Sequence, residues 1–164
     1  ATTGSLGHGI SMGLGIALAL KMNHSSAKVF VMLGDGELEE GTVWEAVMTA
    51  PNFGLTNLVA ILDNNRIQKM DFVDKTIGNP LWKEKWESFG WEVLECDGHD
   101  LGDFKEKLQK ETGSEKPRVI IANTIKGKGV SIMENNPNWH FKLPNKKELK
   151  VFKEELNIKE EELE

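Results

Sequence analysis

Cysteine is almost absent: Cys96 stands alone among 164 residues, which excludes an internal disulfide and suits a reducing cytoplasm. Basic charge is scarce as well. With 20 Lys and Arg against 26 Asp and Glu, the net charge is −6, so the electrostatic footprint of a nucleic-acid binder is missing. No apolar run reaches membrane-spanning length; the stretch 10–20 is too short and is interrupted by Ser11, Gly13 and Gly15. A secretory signal, an internal repeat and a Gly-x-x-x-x-Gly-Lys-Ser/Thr loop are also lacking, and the glycine cluster 7–15 does not follow a strand, so a nucleotide-binding module is a weak reading. The expectation is a cytoplasmic protein with neither nucleic acid nor membrane as partner. Met is missing at position 1, and the chain opens at Ala1 within a loop that reads as functional, which points to a piece of a longer polypeptide.

Hydrophobic residues at 39% and charged residues at 28% are enough for one globular core. Near-continuous apolar runs at 28–33, 57–63, 91–96 and 117–124 read as buried strands. Helical patterns follow a loop at residue 4 and run to 22, then recur at 39–50, 81–89, 101–112 and from 146. Segment 66–80 reads as a polar loop. This alternation predicts an α/β fold, a parallel sheet flanked by helices on both faces and partial at its N-terminus. A binding domain over 1–144 would be followed by a charged helix or tail over 145–164. The first helix gives up helix propensity at Gly13 and Gly15, so it is expected to be buried against a close neighbour.

Two strand ends carry the chemistry. Gly34-Asp35-Gly36 closes the run 29–33, and Asp63-Asn64-Asn65 closes the run 58–62. Neighbouring parallel strands present their carboxyl ends on one side, where ligands bind. An Asp carboxylate and an Asn amide oxygen are hard ligands suited to Mg2+ or Ca2+, and Mg2+ held by so few protein groups completes its shell with phosphate oxygens and water. Gly34 and Gly36 let backbone approach a phosphate, and a helix starting near Glu39 would aim its positive end there. A diphosphate-bearing ligand is therefore predicted. A plain strand-to-helix turn explains Gly-Asp-Gly alone but not the spaced Asn65.

The stretch Gly34-Asp35-Gly36-Glu37-Leu38-Glu39-Glu40-Gly41-Thr42-Val43-Trp44-Glu45-Ala46, with Asp63-Asn64-Asn65-Arg66-Ile67-Gln68, resembles the thiamine-diphosphate motif of transketolases. Thr3-Gly4-Ser5-Leu6-Gly7, Asp97-Gly98-His99, Lys126-Gly127-Lys128-Gly129 and Trp139-His140 continue the match in family order. The resemblance is to the diphosphate-binding, amino-terminal half, a form often encoded as a separate subunit. It implies that Asp35, the Asn65 oxygen and the Ile67 carbonyl hold Mg2+ or Ca2+, and that Gly34 and Gly36 lie along the diphosphate. Gly4, Ser5 and Leu6 match the loop touching the aminopyrimidine and thiazolium. Glu40 matches a carboxylate in the network joining paired active sites. Lys126 and His140 match residues near the diphosphate and the substrate's reacting end, with chemistry suited to charge compensation and proton relay.

The resemblance further implies transfer of a two-carbon ketol unit from a ketose phosphate to an aldose phosphate, with a complementary pyrimidine-binding subunit or domain and a homodimer or heterotetramer as the assembly. Rivals are another enzyme of the same cofactor, such as deoxyxylulose-phosphate synthase or a 2-oxo-acid dehydrogenase component, and a non-catalytic paralogue. Phe141 follows His140 where many relatives have Gly, and the pyrimidine-binding part with its glutamate is not in the sequence. Lys128 reads as a turn lysine, His99 as structural beside an Asp100 N-cap, and Trp82, Trp86 and Phe89 as core or subunit contact.

Overall fold

The computed structural model describes residues 4–69, 71–111 and 113–158. Four strands, β1 (Val29–Gly34), β2 (Leu58–Asn64), β3 (Glu92–Asp97) and β4 (Arg118–Asn123), form one sheet in the order β1-β2-β4-β3. Every pairing is parallel. Register sets Gly34 beside Asp63 and Asn64 beside Asn123, which in turn lies beside Asp97, so all four strands end along one edge. The helices are α1 (His8–Met22), α2 (Gly41–Asn52), α3 (Val73–Ile77), α4 (Trp82–Ser88), α5 (Leu101–Gln109) and α6 (Lys146–Glu155).

The apolar runs become strands because both sheet faces are covered. One face packs with α1, α2 and α4 in a core that includes Ile10, Leu33, Val47, Leu58, Leu62, Trp86 and Val119. The other carries a smaller cluster of Val59, Cys96, Ile120 and Ala122 under Leu94 of β3 and Phe104 and Leu108 of α5. Helices thus flank both faces, as expected. On the second face, Phe30 and Met32 of β1 remain 55% and 69% exposed.

The first helix departs from full burial. Ile10, Gly13 and Ala17 face the core, whereas Met12, Ile16 and Met22 are exposed. At Gly13 the reason is steric: a Cβ there would lie 2.3 Å from Cγ2 of Val31, so only glycine lets the helix cross β1 at this depth. Gly15 has open space around it and gives no such contact.

The tryptophans belong to the core rather than to a ligand platform. Trp44 lies 6.2 Å from Trp82 and 5.9 Å from Trp86, ring centre to ring centre, and Trp86 meets Trp91 edge-on at 4.7 Å. Trp91 donates Nε1–H to the Val47 carbonyl at 2.8 Å, satisfying the buried indole. Two local readings change. Residues 36–39 form a 3-10 turn capped by Asp35, so α2 starts at Gly41 rather than near Glu39. The polar segment 66–80 contains the short helix α3, seated by buried Val73.

The carboxyl-terminal helix α6 has a capping box between Asn145 and Glu148. It returns to the body through Phe152, whose ring centre is 5.4 Å from that of Trp139, and through Glu155, which accepts from the Ser131 backbone N–H at 2.6 Å. The expected tail segment 159–164 lies outside the described residues.

Candidate functional site at the strand ends

The sheet delivers Asp35 and Asn65 to adjacent positions just past β1 and β2, and both side chains are buried, at 1% and 9% exposure. Asp35 Oδ1 accepts from Gly36 N–H at 2.7 Å, and Oδ2 accepts from the Arg66 N–H, so one carboxylate joins the ends of both strands. Burial pushes its carboxyl up to about 6; the two backbone bonds pull down, the Asp63 charge pushes up and the Lys126 charge pulls down. A buried carboxylate in this state gains from a cation nearby. Each of its oxygens keeps a second lone pair for one.

Asn65 is oriented from behind. Its Nδ2–H donates to Asp63 Oδ2 at 3.2 Å, and its Oδ1 accepts from Ile67 N–H at 3.0 Å. Thr124 Oγ1–H donates to the other Asp63 oxygen, tying the end of β4 to the same carboxylate. Ile67 is buried and pairs with Phe72 in an isolated antiparallel bridge. That bridge uses Val73 N–H to Arg66 O and Gln68 N–H to Asp71 O, and so leaves the Ile67 carbonyl outside its ladder.

The glycines differ in what they serve. A Cβ on Gly34 would meet open space, whereas one on Gly36 would lie 2.8 Å from the Gln68 Cβ. Gly34 therefore leaves open space at the end of β1, and Gly36 makes room for the chain after Asn65. Gly7, with φ of +81°, turns the exposed 4–6 loop into α1; a Cβ there would sit 2.7 Å from Glu40 Cβ. Leu6 is 59% exposed, Gly4 and Ser5 are exposed beside it, and Glu40 is exposed next to the turn. Thr3 lies outside the described residues.

The two lysines of the glycine loop part company. Lys128 Nζ lies 3.7 Å from Glu134 Oε1, while the Lys126 charge acts on both Asp35 and His140. Partial desolvation, then the Lys126 and Lys69 charges, hold His140 below its ordinary value and favour the neutral imidazole. His99 Nε2 accepts from Ile125 N–H at 2.7 Å, and Asp100 caps α5 through Gly102 and Asp103, both structural uses. A cleft of about 1410 Å3 lies over the ends of β2, β4 and β3; it shares Asn65, Arg66 and Thr124 with this region but does not take in Asp35, Lys126 or His140.

The donor set fits a metal-bridged diphosphate. Among the described residues no three His, Cys, Asp or Glu side chains gather as a metal cage. A cation at this edge would rest on one carboxylate, amide and carbonyl oxygens, and oxygens of its ligand, the pattern of Mg2+ on a phosphate group. Two neighbours were not legible as parts of the site. Glu37 accepts from Gly7 N–H at 3.0 Å and from Gly34 N–H at 3.2 Å. Asp63 supports Asn65. Both are carboxylates inside the recognised motifs, but each also has a partner far off in sequence, Gly7 for Glu37 and Thr124 for Asp63.

The whole chain, residues 1–164, matches the family described as "Transketolase, thiamine diphosphate binding domain". The chain belongs to this family. It is 43% identical over 154 residues to one of the subunits of the apulose-4-phosphate transketolase of Actinobacillus succinogenes, covering 94% of this chain and 56% of that protein. It is 40% identical over 142 residues to 6-deoxy-6-sulfo-D-fructose transketolase subunit SqwG of a Clostridium species, covering 85% of this chain and 51% of that protein. Transketolase from Campylobacter jejuni superposes with a TM-score of 0.87 at 31% identity, over 95% of this chain and 26% of that one. The chain spans little more than half the length of the subunit-type relatives it matches. Among the described residues, no helix is long and apolar enough to cross a membrane.

Proposed function

We propose that this transketolase-family domain binds thiamine diphosphate through Mg2+, or Ca2+ in its place, and serves as the diphosphate-holding part of an enzyme that transfers a two-carbon ketol unit between sugars. The buried Asp35 carboxylate beside Asn65, with the Lys126 charge acting on it, carries this reading. Asp35, the Asn65 oxygen and the Ile67 carbonyl would ligate the cation, and Gly34 and Gly36 would line the diphosphate. Gly4, Ser5 and Leu6 would touch the rings, and Glu40 would face a paired site. Lys126 would offset diphosphate charge, and His140, whose neutral form is favoured, would accept or return a proton at the substrate's reacting end. When bound, thiamine diphosphate supplies the carbon nucleophile and the electron sink for breaking the ketose carbon–carbon bond.

The reading includes a complementary subunit or domain for the pyrimidine end, paired into a homodimer or heterotetramer, and a cytoplasmic setting in keeping with the free, buried Cys96. Two relatives are named for a ketose phosphate and a sulfo-ketose, so a ketose with an anionic far end is the proposed donor class. The test is calorimetry with thiamine diphosphate and Mg2+, on this chain with and without its complementary subunit, followed by a two-carbon transfer assay on the pair. Metal-dependent binding that disappears in Asp35→Ala is expected. A folded pair that ignores the cofactor refutes the proposal, and a pair that binds it without transferring carbon refutes the activity alone.

A further inference from the structure

We propose that Glu37 is a positioning residue of the cofactor site: its carboxylate fastens the exposed 4–6 loop to the end of β1, setting the ring-contacting loop at a fixed distance from the diphosphate. This rests on the cofactor reading above. Glu37 lies in the 3-10 turn directly after Gly36 and is half-buried. Its Oε1 accepts from Gly7 N–H and its Oε2 from Gly34 N–H, at 3.0 and 3.2 Å. Both oxygens are thus committed to backbone donors on two separate segments.

The two anchored residues have different duties. Gly34 ends β1 next to Asp35, with clear space where a side chain would point. Gly7 is the left-handed hinge through which the loop enters α1. On the far side of Gly7, residues 4–6 are exposed; His8 N–H donates to the Ser5 carbonyl at 3.4 Å, and His8 Nδ1 lies 3.1 Å from the Leu6 carbonyl. A carboxylate bridging two amide donors makes charge-assisted bonds, stronger than neutral ones and directional at each end. Glu37 is not among the groups that hold Asp35 or Asn65, whose bonds run to Gly36, Arg66, Asp63 and Ile67. Its removal should therefore loosen the loop while Asp35, Asn65 and Ile67 keep their places.

The experiment compares Glu37→Ala and Glu37→Gln with the unaltered chain, each assembled with its complementary subunit. Three quantities are read: amide exchange at Gly7 without ligand, affinity for thiamine diphosphate with Mg2+, and affinity for inorganic diphosphate with Mg2+. Glu37→Ala is expected to speed exchange at Gly7 and to weaken thiamine diphosphate by about tenfold or more, the size of a lost charge-assisted bond. Inorganic diphosphate should weaken by clearly less, because Glu37 reaches it only through Gly34 and the loop does not touch it. Glu37→Gln keeps one acceptor and should fall between; it carries the comparison if the alanine variant does not fold. Unchanged exchange, unchanged thiamine diphosphate affinity, or equal weakening of both ligands overturns the proposal. If the unaltered assembly binds inorganic diphosphate but not thiamine diphosphate, the cofactor reading falls, and the positioning role falls with it.

Discussion

Asp35 and Asn65 would reach the cation, but Asp63 decides which way Asn65 points. Without the Asp63 acceptor, the Asn65 amide keeps only the Ile67 N–H to fix which way it points. Asp63→Ala removes the acceptor that serves both Asn65 and Thr124. Loss of such a supporting partner costs about 10- to 100-fold in metal affinity, and that fall in Mg2+ affinity is expected here. Calorimetry of Mg2+ in the presence of thiamine diphosphate measures it, and an unchanged affinity would remove Asp63 from the site. His140 offers a second check at the same scale. Its folded value lies below the unfolded one, so the neutral form is favoured in the fold, and its small contribution to stability is present at pH above the unfolded value and is lost as pH falls. A diphosphate bound beside Lys126 would offset one of the two charges that, after desolvation, hold His140 down. NMR titration should then show its value rising when Mg2+ and thiamine diphosphate are added; a value that stays put would separate His140 from the diphosphate.

At the level of elements, the crossing of α1 over β1 is the tightest constraint. Gly13→Val places methyls where Val31 already stands, and overpacking of this kind costs about 1–3 kcal/mol. Gly15→Ala on the same helix meets open space and gains up to about 1 kcal/mol of helix propensity. Urea unfolding of the two variants should move in opposite directions, and equal shifts would deny the close approach at Gly13. The strands and most helices were legible because a parallel sheet covered on both faces writes long apolar runs, as in Val119-Ile120-Ile121-Ala122. Helix α3 was hidden because five residues in a polar segment carry too little periodicity to register, and only Val73 anchors it. The start of α2 was misplaced because Asp35 caps a 3-10 turn first, a choice set by its bond to Gly36 rather than by propensity. Within the site, Asp35 and Asn65 were readable because their positions follow from the strands that end there. Glu37 and Asp63 were not, since Glu37 meets Gly7 across 30 residues and Asp63 meets Thr124 across 61, and no local pattern encodes such contacts.

Across the whole molecule, a net charge of −6 sits with an edge where Lys126 and Lys69 supply local positive charge and where a buried carboxylate is held near 6. Such a site is electrostatically unfinished on its own: a cation favours Asp35 ionised, and an anion offsets the lysines. Neither alone satisfies both, so Mg2+ and the diphosphate should bind together and stabilise the fold as a pair. A ligand present at about 100 times its dissociation constant adds about 2.7 kcal/mol to the folded state. For a domain of this size each kcal/mol moves the midpoint by about 2–4 °C, which gives a rise of about 5–10 °C. Thermal unfolding of the chain should show that rise with thiamine diphosphate and Mg2+ together, little with thiamine diphosphate in the presence of a chelator, and little with Mg2+ alone. Asp35→Ala should flatten all three curves to the same midpoint. An equal rise with the cofactor in chelator would place the diphosphate on the lysines without the metal and would strip Asp35 and Asn65 of their proposed role.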